Sequence, residues 1–532
     1  MNDVDPLRAG AVVFDENAKG MSMANVTRRI GLSLGADICW PICYEEILQR
    51  LDLAIPVDRD IVRFEVDRVT IEPFDLRQPC RYDLVIDRLT HWYHTSREWI
   101  KKAVIMDGLY VFNNPWAVQS MEKHSTYCAM MRLGFPIPAT WMLPPKHYEP
   151  TPDLQPTLER YAKLFDLDAI GNGIGYPMFM KPYDGGGWAG VSRIDDPAAL
   201  RHAYDQSGTR VMHLQRSVDR YDAFVRCIGL GPQTYCVKYD PSAPLHSRYT
   251  MERDFIAPAD EAMLRDMTLT INTFFNWDFN SCESLRQDGI WHPIDFANPC
   301  PDSQVTSLHY HFPWLVKANI RWSLFCAATK RPMRMNMDWQ PFFDVLKKDG
   351  SFPEHLAEFG KIARQRLAAD EFEAFCARHL SHLDQVTWEF FATDRAMDAV
   401  RQKVAALYPA HEVEMFTTLF WNRIQHWRET EGMPAPRNDG AGSETRAARK
   451  STAADGSAGG AAATATSGSL PVAAVVAPSP VAAKPAAAKP APAIAQPIAK
   501  DKAAAPRKPV PSKAAVKPAT KSAAPSRPRE KS

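Results

Sequence analysis

The motif that decides how this chain is interpreted lies at residues 178–191, Met178-Phe179-Met180-Lys181-Pro182-Tyr183-Asp184-Gly185-Gly186-Gly187-Trp188-Ala189-Gly190-Val191. A lysine ends a short apolar run, a glycine-rich loop follows, and an apolar run resumes at Val191. Because glycine tolerates positive φ and lets backbone N–H groups approach a ligand, such a loop can fold over phosphates. A P-loop differs, since its Gly-Lys-Ser/Thr opens a helix. Considered alone, the segment fits a glycine-rich hairpin with a solvated lysine equally well.

The chain has two parts of different composition. Its 532 residues exceed what one hydrophobic core usually supports, which predicts about two to four domains. Residues 433–532 contain 16 Lys/Arg and 5 Asp/Glu, so the net charge of +1 combines an acidic body with a basic tail. The tail is rich in Ala, Pro, Lys and Ser and has no aromatic residue, a composition that predicts disorder.

Cysteine usage and the amino terminus bear on the compartment. The ten cysteines form no Cys-x-x-Cys pair, which favours reduced thiols over a disulfide framework. The first residues are acidic and lack the basic and apolar regions of a signal peptide. No apolar stretch approaches the roughly 20 residues that span a bilayer. We therefore expect a cytoplasmic protein without a membrane segment.

Apolar periodicity predicts an α/β order over the first part of the chain. After a loose arm at 1–25, residues 29–34 and 82–87 are predicted strands, and residues 44–51 a predicted amphipathic helix. Asn114 and Pro115 are a helix cap and first position, and the helix is predicted to reach Leu133 and to stop at Gly134.

Strands dominate the pattern between residues 174 and 300, and helices dominate it from 316 to 432. Further strands are predicted at 211–215, 223–228, 234–238 and 289–296, with a helix at 264–275.

A group of oxygen-bearing side chains follows these strands. Glu283 and Asp295 flank the turn signal Asp288-Gly289, so we expect them to face each other on paired antiparallel strands, with Asn298 nearby. Carboxylate and amide oxygens suit Mg²⁺. Two acids that flank a hairpin are also common surface residues, but Asp295 alternates with apolar residues and needs a partner or a metal.

Four cations form a second group: Lys123, Lys181, Arg226 and Lys238. Lysine supplies a point charge for phosphate, and arginine can bind a carboxylate or phosphate with two hydrogen bonds. Each residue alone fits a solvated surface position better, but together with the glycine loop the four favour a phosphate site.

A polar stretch at 215–222 follows an apolar strand and forms the third group. Its backbone could meet an adenine edge, and Asp222 could bind a ribose. An ordinary connection between two strands is the alternative interpretation.

In this order, the three groups resemble the ATP-grasp superfamily over about residues 28 to 315. The resemblance is carried by Asn113-Asn114-Pro115, Lys123, Gly134-Phe135-Pro136-Ile137-Pro138, Lys181-Pro182, Gly190-Val191, Gln215, Asp222, Arg226, Glu283, Asp295 and Asn298. It implies a pre-ATP-grasp α/β domain at 26–112 and a two-subdomain α+β ATP-grasp domain at 113–315. A helical region at 316–432 and a disordered tail at 433–532 complete the predicted order.

The resemblance also implies a role for each matching residue. Lys123 and Lys181 would hold phosphates beneath a loop that contains Gly185, Gly186, Gly187 and Gly190. Gln215, Ser217 and Val218 would line the adenine pocket, and Asp222 would bind the ribose. Arg226 would hold an acyl substrate, and Lys238 would reach the γ-phosphate. Glu283, Asp295 and Asn298 would bind two Mg²⁺ ions, with Mn²⁺ as an alternative.

Two positions depart from the family pattern. The second metal segment is Asp295-Phe-Ala-Asn298 instead of Glu-x-Asn, and the ribose position holds Asp222 where glutamate is more common. Both departures leave the number and geometry of the metal ions open.

The activity that the resemblance implies is ligation: ATP activates a carboxylate as an acylphosphate, and an amine displaces the phosphate. The order of domains is most similar to ligases related to ribosomal-protein glutamate ligase and glutathione synthetase, and homodimerisation is a family expectation. The substrates would be small-molecule or peptide acids and amines. The alternatives are a phosphotransferase, and a non-enzymatic nucleotide-binding scaffold whose basic tail binds an acidic partner.

Overall fold

The computed structural model describes residues 24–70, 73–90, 93–120, 122–184 and 189–431. The predicted tail, nearly all of the predicted arm, and Gly185, Gly186 and Gly187 lie outside these residues.

The first part of the chain forms a mixed five-stranded sheet with two helices. Its elements are β1 (Ala24–Ser33), α1 (Cys39–Leu51), β2 (Ile55–Val57), β3 (Asp60–Arg68), β4 (Leu84–Asp87), α2 (His94–Asp107) and β5 (Tyr110–Phe112). The strand order is β2-β3-β1-β4-β5, in which only β2 is antiparallel to its neighbour. Leu84, Val85 and Ile86 are all buried, as expected for a parallel strand that is covered on both faces.

Two short helices replace the single helix that the sequence predicts over 115–133, so that prediction was wrong. They are α3 (Pro115–Ser120) and α4 (Lys123–Arg132). The predicted cap is confirmed, because Asn114 Oδ1 accepts hydrogen bonds from the backbone N–H groups of Trp116 (3.0 Å) and Ala117 (3.2 Å). The break makes Lys123 the first residue of α4, and its N–H donates to the carbonyl of Tyr183 at 3.3 Å.

The second sheet is antiparallel and carries the Lys181 motif. Its elements are β6 (Thr140–Leu143), α5 (Leu154–Tyr161), α6 (Leu167–Ile174), β7 (Met178–Pro182), β8 (Ser192–Ile194), α7 (Pro197–Asp205) and β9 (Met212–Arg216), with strand order β6-β9-β7-β8. Met178, Met180 and Leu214 are buried in one apolar cluster with Leu200 of α7. Because side chains alternate along a strand, Lys181 and Gln215 lie on the opposite face of this sheet.

The third sheet is also antiparallel. Its elements are β10 (Ala223–Leu230), β11 (Gln233–Lys238), α8 (Pro258–Phe274), β12 (Phe279–Gln287) and β13 (Ile290–Asp295), with strand order β11-β10-β12-β13. Asp288 and Gly289 have φ values of 52° and 77° and form the turn of the β12–β13 hairpin, which confirms the turn signal.

A helical region follows, as predicted. It comprises α9 (Val305–Leu308), α10 (Phe312–Ala328), α11 (Gln340–Val345), α12 (Phe352–Arg366), α13 (Ala369–His379), α14 (Leu383–Phe390), α15 (Asp394–Ala405) and α16 (Val413–Glu431). Helix α10 is buried along most of its length and contacts β1, β4 and β10, so it joins the first and third sheets. The mixed α/β and α+β architecture is therefore confirmed, while the domain boundaries at 112/113 and 315/316 stay predictions.

None of the helices among the described residues is both long and apolar enough to cross a membrane.

Candidate functional site

The second and third sheets meet at two lysines and one carboxylate. Lys123 Nζ donates to both carboxylate oxygens of Asp295, at 2.8 and 2.9 Å. Lys181 Nζ donates to Gln215 Oε1 at 2.8 Å and, across the junction, to the carbonyl of Ile294 at 3.2 Å. The structure thus brings together four predicted site residues that lie far apart in the chain.

The predicted metal ligands also converge. Glu283 on β12 is the register partner of Asp295 on β13, next to an irregularity in the ladder between Glu283 and Ser284. Asn298 Nδ2 donates to the carbonyl of Ser281 at 3.1 Å and approaches Asp295 Oδ1 at 3.4 Å. The two carboxylates and the amide therefore lie together at the open end of the hairpin, away from its turn.

Arg226 completes this charged group from the neighbouring strand. It lies opposite Glu283 in the β10–β12 ladder, with Nη1 3.5 Å from Glu283 Oε1. Its Nε donates to Ser281 Oγ at 3.1 Å, and Nη1 donates to the hydroxyl of Tyr249. The guanidinium is therefore held on two sides while it faces the carboxylate.

Burial and charge perturb the acids and bases of the site. Burial between the sheets, and then the charge of Lys123, lower the pKa of Lys181 to about 8, although Asp295 and Glu283 act in the opposite direction. Burial raises the pKa of Glu283. The negative charge of Asp295 adds to this rise, and the positive charge of Arg226 opposes it. For Asp295 burial acts upward, but Lys123 and Lys181 outweigh it and lower the pKa. Such opposed shifts within one cleft are typical of functional sites.

One residue of this site was missed by the sequence analysis. His213 on β9 is the register partner of Lys181 and is only 1% exposed. Among the described residues, neither ring nitrogen of His213 has a hydrogen-bond partner. Burial, together with His124, Lys123 and Lys181, lowers its pKa to about 4, so the ring is neutral. Its position two residues before Gln215 on the same strand was the signal that could have identified it.

Two predicted residues are paired elsewhere. Lys238, at the end of β11, forms an ion pair with Glu252, and both side chains are exposed. Asp222 accepts two hydrogen bonds from Arg286, at 2.9 and 3.0 Å. Within the described residues, neither contacts the lysines or acids of the site, so their γ-phosphate and ribose roles stay predictions.

The predicted adenine segment lines a cleft. Ser217 and Val218 border a cavity of about 520 Å³, together with residues 136–139 and His292. This volume is in the range of small-molecule pockets. The cleft begins where β9 ends, immediately after Gln215.

Gly190 is the part of the predicted glycine loop that can be described. Its φ is 73°, and a Cβ atom there would collide with the guanidinium of Arg210. The positive φ favours glycine at this position, because other residues rarely adopt it.

The donor set at the β12–β13 edge fits a hard divalent cation. No group of three or more His, Cys, Asp or Glu side chains in a metal-binding arrangement occurs in the described part of the chain. Two carboxylates and an amide match Mg²⁺, which usually takes one or two carboxylates and completes its shell with phosphate and water. Glu283, whose buried carboxylate has a raised pKa, would gain most from such a cation.

Comparisons with known proteins find structural similarity only. No protein-family model and no curated protein sequence matches this chain. A RimK domain ATP-grasp protein from Sphaerobacter thermophilus matches with 14% identity and a TM-score of 0.37, over 52% of this chain and 92% of that one.

Two ligases also match. The D-Ala:D-Ser ligase VanG from Enterococcus faecalis has 12% identity and a TM-score of 0.37, over 55% of this chain and 95% of that one. A D-alanine–D-alanine ligase from Bacillus anthracis, solved with ATP, has 13% identity and a TM-score of 0.35, over 64% and 99%. Because these TM-scores are low, the proposals below rest on the residues of this chain alone. The solved structures to which the chain is similar include an ATP-grasp protein.

Proposed function

We propose that this protein is an ATP- and Mg²⁺-dependent ligase that joins a carboxylate to an amine and releases ADP and phosphate. The observation that supports it best is that Lys123 bonds Asp295 and Lys181 bonds the adjacent carbonyl of Ile294. Asp295 is in turn the register partner of Glu283. Two ammonium groups beside two carboxylates can accept both parts of a metal–nucleotide complex. The lysines would bind the phosphates, and the carboxylates would hold the cation.

The nucleotide is proposed to lie along β9. Ser217 and Val218 border the cleft for the base, and Gln215, two residues before Ser217, accepts a hydrogen bond from Lys181. The triphosphate then reaches Lys123, which is only 6% exposed. A polyanion here offsets the mutual repulsion of the two lysines and the cost of their burial.

The divalent cation would be held by Glu283, Asp295 and Asn298. When bound, Mg²⁺ would neutralise charge on the terminal phosphate and act as a Lewis acid. For Asp295 to serve, Lys123 must exchange at least one of its two hydrogen bonds to that carboxylate for a phosphate oxygen. This exchange keeps every charge paired.

The chemistry proceeds in two displacements. A carboxylate oxygen of the first substrate attacks the γ-phosphorus, and the bond to the bridging oxygen breaks to release ADP. The amine of the second substrate then attacks the acyl carbon, and inorganic phosphate leaves with the original carboxylate oxygen. The amine proton passes to solvent or to a general base.

Arg226 is the proposed anchor for the acyl substrate. Ser281 and Tyr249 fix its guanidinium, and it lies beside Glu283 at the site edge. A guanidinium can hold a carboxylate with two parallel hydrogen bonds and set the direction of its attack.

An isotope experiment tests this proposal. The protein is incubated with ATP, Mg²⁺, candidate amines and carboxylic acids labelled with ¹⁸O, and the inorganic phosphate is analysed. One labelled oxygen in the phosphate, formed only when acid and amine are both present, supports ligation. Transfer of the γ-phosphoryl group to a stable acceptor without labelled phosphate indicates the phosphotransferase instead.

The location and the tail belong to the same proposal. We place the ligase in the cytoplasm and propose that residues 433–532 are an accessory segment that binds an acidic partner.

Deletion of residues 433–532 tests the accessory role of the tail and is expected to leave ATP turnover unchanged. Lost turnover would contradict the accessory role.

A further inference from the structure

A small cavity lies away from the proposed nucleotide site, where the first sheet, the start of β12 and the loop after α10 meet. Its volume is about 30 Å³, which holds one or two water-sized occupants. The side chains that carry the argument are Tyr110, Trp277, Asp278, Arg331, Arg334 and Arg366. None of them belongs to the proposed ligase machinery.

The charges around this cavity do not cancel. Three guanidinium groups line it, from Arg331, Arg334 and Arg366. The carboxylates near them are Asp278, in the lining, and Asp338, which lies 3.2 Å from Arg366 and 3.7 Å from Arg334. Three cations against two anions leave one positive charge.

The carboxylate in the lining is already engaged. Asp278 Oδ1 accepts hydrogen bonds from the hydroxyl of Tyr110 at 2.9 Å and from Trp322 Nε1 at 3.2 Å. Burial raises the pKa of Asp278 to about 6, against the charge of Arg331. It is therefore largely ionised at neutral pH, and the excess of one positive charge stands.

The arginines repel one another. Burial, followed by the charge of Arg334, lowers the pKa of Arg366 to about 10. Burial also lowers the pKa of Arg334. The charge of Arg331 lowers it further, and the charge of Asp338 opposes this shift. A further anion between them would relieve this repulsion.

Two residues of the cavity lining each have a buried donor without an acceptor. In the described part of the chain, Arg334 Nε and Trp277 Nε1 are buried and have no hydrogen-bond partner. Trp277 is only 1% exposed. Buried N–H groups are nearly always paired, so these two donors can each bind an acceptor.

We propose that this cavity binds one monovalent, monatomic anion, which is chloride in ordinary solution. The charge excess calls for one negative charge, and the unpaired donors call for an acceptor. A second, water-sized occupant can donate to Asn276 Oδ1, which is also buried without a partner among the described residues.

Such an anion would stabilise the packing of several elements by binding cations from each of them. Trp277 and Asp278 lie between α8 and β12, Arg331 and Arg334 lie in the loop after α10, and Arg366 ends α12. The ion would thus tie the third sheet to the helical region, independently of nucleotide binding.

Crystals of the full chain grown in sodium bromide give the direct test. An anomalous bromine peak within hydrogen-bonding distance of Arg334 Nε and Trp277 Nε1 supports the site. Ordinary water density without anomalous signal in the same cavity would overturn it.

Thermal unfolding adds a test in solution. Raising chloride at constant ionic strength is expected to increase the melting temperature of the wild type by about 2 °C more than that of Arg334→Met. The matched control is Arg401→Met, which removes an exposed arginine of α15 and should retain the full chloride response.

A third variant should act in the opposite direction. Asp278→Asn raises the charge of the cavity by one unit, so halide affinity should increase by about tenfold. Equal halide responses in the wild type, Arg334→Met and Asp278→Asn would refute the proposal. If Arg334→Met does not fold, the bromide crystal of the unaltered protein still decides the question.

Discussion

Lys123 and Asp295 form a bidentate contact across 172 residues of sequence, with Nζ 2.8 and 2.9 Å from the two carboxylate oxygens. The lysine begins helix α4, and the aspartate ends strand β13. This pair joins the first proposed phosphate ligand to a proposed metal ligand, so each neutralises the other in the absence of nucleotide. Binding of a metal–nucleotide complex would then be an exchange of charged partners.

The pair predicts that substitutions of its two members have coupled effects on stability. Lys123→Met leaves Asp295 without its main counter-charge and should lower the free energy of unfolding by about 2 kcal/mol, less than for a fully buried pair because the Asp295 side chain is 26% exposed. Asp295→Asn removes the carboxylate that Lys123 bonds and whose charge also acts on Lys181, so the two lysines should be left in repulsion, a loss of similar size. The double variant should recover part of both losses. Urea unfolding of the three variants measures the coupling, and strictly additive losses would contradict a direct pair.

Lys181 should be essential for nucleotide affinity. Lys181→Met removes one of two ammonium groups proposed to face the phosphates, and the dissociation constant for ATP with Mg²⁺ should rise at least tenfold, about 1.4 kcal/mol. Lys347→Met, which removes an exposed lysine, is the matched control. Titration calorimetry gives both values. Unchanged affinity of Lys181→Met would place the nucleotide elsewhere.

Lys181 also predicts a pH dependence. Its pKa falls from 10.5 to about 8 on folding, so the folded state binds fewer protons than the unfolded state between these values. The nucleotide-free protein should therefore become more stable as pH rises from about 8 towards 10, while ATP affinity falls because the ammonium is lost. Lys181→Arg should flatten both trends. Unfolding and binding measured over this range would contradict the assignment if both changed in the same direction.

Replacing His213 with an apolar residue should make the protein more stable but weaken its binding of ATP. Its ring is buried with two unpaired nitrogens, so His213→Leu should raise the free energy of unfolding by about 1 kcal/mol. If a bound phosphate supplies the missing partner, the same variant should bind ATP less tightly. His411→Leu, at an exposed histidine, should change neither quantity. A destabilised His213→Leu would show that the ring has a packing role instead.

Several elements were predictable because their signals are local. The cap at Asn114, the turn at Asp288-Gly289 and the apolar strands around residues 82–87, 223–228 and 234–238 each depend on neighbours in sequence. The helix over 115–133 was predicted without its break, since the residues on both sides of the break have helical character. The contact of Lys123 N–H with Tyr183, which accompanies the new start at Lys123, is long-range.

The sequence by itself determined the mixed architecture and the candidate acids and bases, because periodicity, turn residues and side-chain chemistry can be recognised along the chain. Only the tertiary structure decided which of them meet: Lys123, Lys181, Glu283 and Asp295 converge, whereas Lys238 and Asp222 pair with Glu252 and Arg286. Likewise, only packing between sheets and helices left His213 buried and placed three arginines around one cavity. The physical reason is that burial and charge pairing depend on distances in space, which residues far apart in sequence acquire only when the sheets and helices pack together.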